Sequence, residues 1–441
     1  MTRRAQAAMS PPATDPTAGP IGELPPGPEL PPERLTARIA MRPLAFLEEL
    51  RARFGDVFTL QAVDERPWVM VSDPALIADV LRAPPSVLRA GEAKQRVLAP
   101  LLGDNSLLLL DEAAHAEQRR MLLPAFTGTP NAAQEEAMRK VAAEEIAGRR
   151  LGTAGPVVEL TRAIALRTIL RTVLGFRRRA QVDAMRDALE AVRLPSNSRE
   201  GWNSAYQRAL EPVDELIFAE IEARAGRGAA APDDTLALLL EARGENGAPL
   251  SPREIRDELM TLVVAGYETT ATTLAWALER LARNPAALAA AEAEADAGGG
   301  PYTEAVLKET LRVRPALPTV ARAVAEPFAL GEHLLPRGAE IRLAVLLVHH
   351  RADIYPDPYA FRPERFLGQA PEAHAWLPFG GGRRRCIGAR FAMQEMQAVL
   401  ATLLAQVRVR PPGDEGEEER MRHRDITLTP ARGARLLLEP R

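Results

Sequence analysis

One stretch of this chain is hard to fold as anything but a single long helix. Ser251-Pro252-Arg253-Glu254 supplies an N-cap, a proline at the first helical position and an acid three residues after the cap. In that capping-box pattern the two side chains satisfy backbone N–H groups the helix leaves unpaired. Asn284-Pro285 supplies the stop, because proline has no N–H and its ring clashes with the preceding turn. Between them Ile255, Leu259, Leu262, Val263, Gly266, Thr270, Leu274, Ala277 and Leu281 recur at helical spacing. Residues 252–283 therefore predict a helix of about 48 Å, at 1.5 Å per residue. Such an element crosses a whole domain, and the rest of the chain must pack around it.

Apolar periodicity of three and four also dominates residues 131–310 and 388–406, so the fold class is mainly α. A helix is predicted over Leu44 to Phe54, and another from Pro285 to Ala297, ending in Gly298-Gly299-Gly300. A small β region comes from strands at Val57 to Gln61, Trp68 to Val71, Phe328 to Ala329 and Glu340 to Val345. Nine prolines between Pro11 and Pro32 predict an extended, weakly ordered arm over residues 1–34, with the folded domain over 35–441. The acidic run Asp414 to Glu419 reads as a solvated loop. At about 150 residues per domain the length suggests about three domains, though one large enzyme domain also fits.

Fifty-six Lys and Arg against 59 Asp and Glu leave a net charge of -3, which argues against a nucleic-acid partner. There is no apolar run of the roughly 20 residues that span a bilayer, and the first residues lack the apolar middle of a secretory signal. The expectation is a soluble, cytoplasmic protein without a membrane partner. Cys386 is the one cysteine, so no intrachain disulfide forms and a Cys-rich zinc site is excluded.

Around that cysteine stands Phe379-Gly380-Gly381-Gly382-Arg383-Arg384-Arg385-Cys386-Ile387-Gly388. The glycines permit tight turns and close approach of backbone to a flat ligand, and the residues after Cys386 open a helix through Met393, Met396 and Leu400. Three neighbouring arginines and the positive helix end are expected to depress the thiol pKa and favour the thiolate that a metal requires. A small buried hydrophobe and a histidine-activated nucleophile are the competing readings of a lone cysteine, and no His lies near it in sequence.

Phe379, Gly382, Arg384, Cys386 and Gly388 fill F-x-x-G-x-R-x-C-x-G, and here the chain resembles the cytochrome P-450 heme-thiolate monooxygenases. The resemblance covers roughly residues 35 to 441 and implies one large, mainly helical domain. It also implies that Cys386 is the axial thiolate ligand of heme b iron, with following backbone N–H groups tuning the sulfur. Glu309 and Arg312 match the family's E-x-x-R helix, one turn apart. Arg365, within Phe361-Arg362-Pro363-Glu364-Arg365-Phe366, matches the arginine that completes a buried structural triad with that pair.

Ala265-Gly266-Tyr267-Glu268-Thr269-Thr270 resembles the family's oxygen-activation segment. Ala265 and Gly266 are expected to leave space against a cofactor face, and the Thr269 hydroxyl to bond back to the Ala265 carbonyl and bend the helix locally. The resemblance implies catalytic roles for Thr269, which hydrogen-bonds the oxygen being activated, and for Glu268, which relays protons. It also implies that His115 and Arg119 (H-x-x-x-R), Arg322 and Arg384 contact the heme propionates.

Leu262, Val263, Ala265, Ala316, Leu317, Val320 and Leu428 correspond to pocket-lining positions, so the substrate is expected to be an apolar small molecule. The implied reaction inserts one atom of dioxygen into that substrate, by hydroxylation or epoxidation. No G-x-G-x-x-G fingerprint is present, so electrons are expected from a separate ferredoxin or flavodoxin with its reductase, acting on a monomer. Arg383, Arg385, Arg119 and Arg120 are candidates for the docking face. A peroxide-driven peroxygenase, a non-enzymatic heme sensor and a heme-free hydrolase built on Cys386 are the alternatives; the Glu268-Thr269 pair favours dioxygen over peroxide.

Overall fold

The long helix runs over Pro252–Ala282, with its capping box formed in both directions: the Glu254 N–H donates to Ser251 Oγ at 3.2 Å and the Ser251 N–H to Glu254 Oε2 at 2.7 Å. The computed structural model describes residues 24–61, 66–127, 132–192, 204–225, 234–244, 247–413, 418–424 and 426–441. Two hydrophobic cores share this helix. Ile255, Leu259, Met260, Leu262 and Val263 pack in one with Leu166, Ile169 and Leu170 of the helix Val157–Leu174. Leu274, Leu278 and Leu281 pack in the other with Leu307, Val399 and Leu403, from the helices Pro301–Val313 and Ala389–Gln406. A fully buried leucine contributes about 1.5–3 kcal/mol through removal from water, so the helix is fixed at both ends by burial on most of its faces.

The main sheet has five strands in the order 57–61, 67–71, 340–343, 320–324, 88–89. Strands 67–71 and 340–343 are parallel, with Trp68 opposite Glu340, and the other pairs are antiparallel. A parallel pair needs a crossover, and here it contains nearly all of the helical body. Strand 320–324 and the short strand Leu88–Arg89 thereby stand at the edge of that body, which brings Arg322 next to the helix Glu92–Leu102.

Several boundaries differ from the sequence expectation. The strand expected to reach Val345 stops at Leu343, and Val345–Val348 forms a helical turn, all four of its residues buried. The helix expected to end at Ala297 ends at Ala295, followed by turn residues and by Gly298 and Gly299 with φ near +90°. Phe328 extends as a strand to Leu330 and pairs with His333–Leu335.

Part of the proline-rich arm, residues 1–23, lies outside the described residues. Residues 24–31 are extended and dock on the sheet edge: the Thr59 N–H donates to Pro26 O at 3.0 Å, and a Cβ on Gly27 would lie 1.8 Å from Thr59 O. A helix then begins at Pro32, with proline at its first position.

Of the acidic run, residues 414–417 are likewise outside the described set; Glu418 is exposed as expected of a solvated loop, though ion-paired, while Glu419 is buried. Glu418 accepts from Arg280 at 2.6 Å and Arg314 at 2.8 Å; Glu419, 4% exposed, accepts the Arg432 N–H at 2.9 Å. Among the described residues no helix is long and apolar enough to cross a membrane.

Candidate functional site

Burial along the long helix is interrupted once. Residues 255–263 and 270–282 are buried, residues 264 and 266–269 are half-buried, and Ala265 is exposed although it lies mid-helix. The Thr269 hydroxyl donates to Ala265 O at 2.8 Å, the back-bond expected from the sequence, and Thr273 repeats it to Thr269 O at 2.8 Å. Gly266 serves a different purpose from the one expected. A Cβ there would sit 2.8 Å from Ile169 Cδ1, so this glycine lets the helix Val157–Leu174 approach closely and does not open a cofactor face. Glu268 is held in a bidentate pair by Arg162, at 2.9 and 2.7 Å, with Arg424 at 3.9 Å.

The cysteine loop is built on two left-handed glycines, Gly380 (φ 64°) and Gly382 (φ 60°). A Cβ on Gly382 would lie 2.6 Å from the Leu81 carbonyl oxygen, so only glycine fits there. The Cys386 N–H donates to Phe379 O at 2.9 Å and closes the loop, while the Phe379 ring meets Trp376 nearly edge-on at 6.0 Å. Gly388 then caps the helix Ala389–Gln406.

Cys386 has accessible surface even though protein surrounds it, so its sulfur borders interior space. Burial raises the thiol pKa overall, against the opposing pull of the Gly388 N–H, Arg119 and Arg385. This reverses the expected depression. Of the three adjacent arginines, Arg384 turns away to Leu110 O (2.7 Å) and Leu108 O (3.3 Å), and Arg383 is exposed. Binding of a soft metal at this sulfur would expel the proton and reverse the balance.

Beside the loop gathers a cluster of cations. Arg322 and Arg384 are each pulled down to about 10 by burial, and they repel one another. His115 is pushed down to about 3 by burial and by Arg384, Arg119, Lys94 and Arg322, so it is neutral and can donate through one ring N–H. Arg119 acts on both His115 and the Cys386 thiol, which puts it between the cations and the sulfur. The compensating acids are Asp111, 3.6 Å from Arg384, and Glu340, which pairs with Arg342 at 2.7 Å.

Lys94 and Asp111 were not found from the sequence. Asp111 accepts the N–H groups of Ala90 (3.0 Å), Gly91 (2.8 Å) and Glu92 (2.9 Å), a contact between segments that no spacing rule reveals. A soft sulfur donor with accessible surface, a small exposed residue inside the long helix, and surplus positive charge near the sulfur are the donor set that an iron porphyrin with two carboxylates needs.

The expected structural triad is assembled. Arg312 donates to Glu309 Oε2 at 2.7 Å and Oε1 at 2.8 Å, with both side chains 0% exposed, and Arg365 Nε lies 3.4 Å from Glu309 Oε1. Arg312 also donates to the carbonyls of His349 (2.8 Å), Pro358 (2.7 Å) and Ala360 (3.1 Å). His349, pushed down to about 3 by burial and Arg312, accepts the Leu377 N–H at 2.8 Å and so ties the triad to the segment leading into Phe379. Sequence reasoning gave no signal for this histidine.

Of the expected pocket residues, Ala265, Leu317 and Val320 keep accessible surface, and Leu262 and Ala316 keep a little. Val263 (1%) and Leu428 (0%) face packed core instead: Leu428 donates its N–H to Ala316 O at 2.8 Å and accepts from Trp276 Nε1 at 3.2 Å.

A family model for cytochrome P450 matches residues 25–437. Cytochrome P450 135B1 of Mycobacterium tuberculosis strain H37Rv is 41% identical over 431 residues, covering 94% of this chain and 91% of the relative. Cytochrome P450 137 of the same strain is 36% identical over 409 residues, covering 88% and 84%. Among solved structures, the heme domain of cytochrome P450DA aligns with a TM-score of 0.82 at 25% identity, over 96% of this chain and 99% of that one. Retinoic acid-bound cyanobacterial CYP120A1 aligns at 0.80 and 21% identity, over 95% and 99%, a likeness of fold.

Proposed function

Because the chain belongs to the cytochrome P450 family, whose members are heme b oxidoreductases, we propose that it inserts one atom of dioxygen into an apolar organic substrate, by hydroxylation or epoxidation. Its electrons come from a separate ferredoxin or flavodoxin with its reductase. The observation that carries this reading is the break in burial of the long helix at Ala265, backed by the Thr269 bond to Ala265 O, in a chain whose one cysteine also keeps accessible surface. When bound, heme supplies the reductive activation of dioxygen and the transfer of one of its atoms.

The chain's own residues then have definable tasks. Cys386 would hold the iron as a thiolate, with the Gly388 N–H moderating the charge on sulfur. Arg322, Arg384, Arg119 and neutral His115 would hold the propionates. The Thr269 proton is committed to Ala265 O, so its oxygen lone pairs are free to accept a hydrogen bond and position a water in the notch. Both Glu268 oxygens are engaged by Arg162, so proton delivery from Glu268 needs one of them to exchange that arginine for water.

Ala265, Leu317 and Val320 carry apolar side chains and keep accessible surface, which suits a hydrophobic substrate. Arg383 and Arg385 are exposed beside the sulfur loop and supply a basic face for an acidic electron carrier. Charge reversal at Arg383 is expected to slow reduction and flatten its salt dependence; an unchanged rate and slope would remove that part.

The test is the absorption spectrum of the purified protein, reduced and exposed to carbon monoxide, with apolar compounds titrated into the ferric form. A strongly red-shifted Soret band that is lost in Cys386→Ala is expected. A colourless protein, or an unchanged band in Cys386→Ala, overturns the reading.

A further inference from the structure

Lys94 lies in the first turn of the helix Glu92–Leu102, and three backbone N–H groups delivered to Asp111 fix that turn in place. The fit there is tight: a Cβ on Gly91 would lie 2.1 Å from Leu109 O, so the loop before the helix Glu112–Leu122 rests directly on the turn. The Lys94 ammonium donates to Ala90 O at 2.8 Å, which folds the side chain back along the helix instead of letting it reach bulk solvent. Protein surrounds it, yet it keeps accessible surface, as the Cys386 sulfur does.

The charged groups facing Lys94 are Arg322 from the main sheet, Arg384 from the cysteine loop, Asp111 and Glu340. Lys94 in turn acts on His115. Three cations thus meet two acids, one of which, Glu340, also pairs with Arg342 at 2.7 Å. Burial and the two arginines push the ammonium down to about 7, so in this arrangement its charge is poorly compensated. Two of its Nζ protons remain for another acceptor.

We propose that Lys94 is a further propionate-holding residue, a third cation closing the Arg322-Arg384 cluster around one carboxylate of the heme. This rests on the heme-thiolate reading above and goes beyond the residues its sequence motifs supply. A buried ammonium with protons to spare gains a charge-assisted bond to that carboxylate, and the carboxylate gains a partner on a rigid helix turn.

The test uses the heme-loaded protein and two variants, Lys94→Met and Lys94→Arg. Heme loss is followed by transfer of hemin to excess apomyoglobin, and the ferric/ferrous midpoint potential is measured on the same samples. Lys94→Met is expected to lose heme about tenfold faster or more, the loss of one charge-assisted bond. Its potential is expected to move negative, because a positive charge near the heme favours the electron-rich ferrous form. Lys94→Arg is expected to recover both readouts.

A purely structural lysine would speed heme loss without moving the potential. Wild-type loss rate and potential in Lys94→Met overturn the proposal while the carbon monoxide spectrum still upholds the heme-thiolate reading. Absence of that spectrum in the wild-type protein overturns both. If Lys94→Met does not fold, Lys94→Gln carries the same two measurements, with the same outcomes deciding.

Discussion

Replacing Arg312 by leucine probes a fully buried guanidinium that makes five hydrogen bonds. Its guanidinium makes two bonds to Glu309, at 2.7 and 2.8 Å, and donates to three carbonyls between 2.7 and 3.1 Å, with no solvent contact for either partner. After the substitution Glu309 keeps only the Arg362 N–H at 2.8 Å and Arg365 at 3.4 Å, which leaves a buried carboxylate largely uncompensated. Breaking a buried pair from one side costs about 3–5 kcal/mol, against a typical domain stability of about 5–15 kcal/mol.

Arg365→Leu removes one longer contact and a 2.9 Å bond to Asp357 O from a partly exposed side chain, and is expected to cost about 1–2 kcal/mol. The assay is urea unfolding of both variants and wild type at matched heme content, since bound ligand itself adds stability. Arg312→Leu is also expected to lower heme retention, because the His349 and Leu377 contacts lead from the triad into the cysteine loop. A cost below about 1 kcal/mol for Arg312→Leu, or an equal cost for Arg365→Leu, would refute the burial argument.

Gly382→Ala is expected to destabilise by about 1–2 kcal/mol from its left-handed backbone alone, and more from the Leu81 carbonyl; Gly388→Ala, with φ -88° and no atom nearer than 3.9 Å, is expected to be nearly silent in thermal unfolding. Thr269→Val is expected to keep heme and substrate binding while diverting electrons to peroxide, read as product formed per electron consumed; an unchanged ratio would remove the role given to that hydroxyl. Glu258, raised to about 8 chiefly by burial, stays protonated when folded and ionises near 4.5 when unfolded, so its contribution is fully present below pH 4.5 and lost as pH rises toward 8. Glu258→Gln is therefore expected to gain on wild type by roughly 1 kcal/mol per pH unit between pH 5 and 8 in denaturant unfolding, and parallel pH curves would contradict this.

What the sequence revealed and what it concealed divide along a physical line. The capping box, the Thr269 back-bond and the Glu309-Arg312 pair act within one or two helical turns, so spacing alone defines them. The direction a residue faces among neighbouring elements is not a local property. Correspondence to the family's pocket-lining segments put Val263 and Leu428 near the pocket, but rotation and register buried both. Counting arginines beside Cys386 gave the wrong sign for the thiol because Arg384 points at backbone carbonyls and Arg383 at solvent, leaving burial to dominate. Lys94 was invisible for the same reason: its significance comes from strand 320–324 and the cysteine loop, both more than 200 residues away in the chain.

The interruption in the long helix follows from these same packing forces. Leucines on either side belong to different cores, so the turns around Ala265 lie at the seam between two packed regions. Gly266 lets Ile169 approach to where a Cβ would clash, which draws the helix toward Val157–Leu174. The Arg162-Glu268 pair joins the same two helices, two residues further along. Ala265 lies outside that contact and carries too little side chain to fill the seam itself. The notch is thus held open by tight packing against one neighbouring helix, and the Thr269 bond to Ala265 O sets its depth. An alanine at Gly266 would meet Ile169 Cδ1 at 2.8 Å, push the helix off that neighbour and narrow the notch.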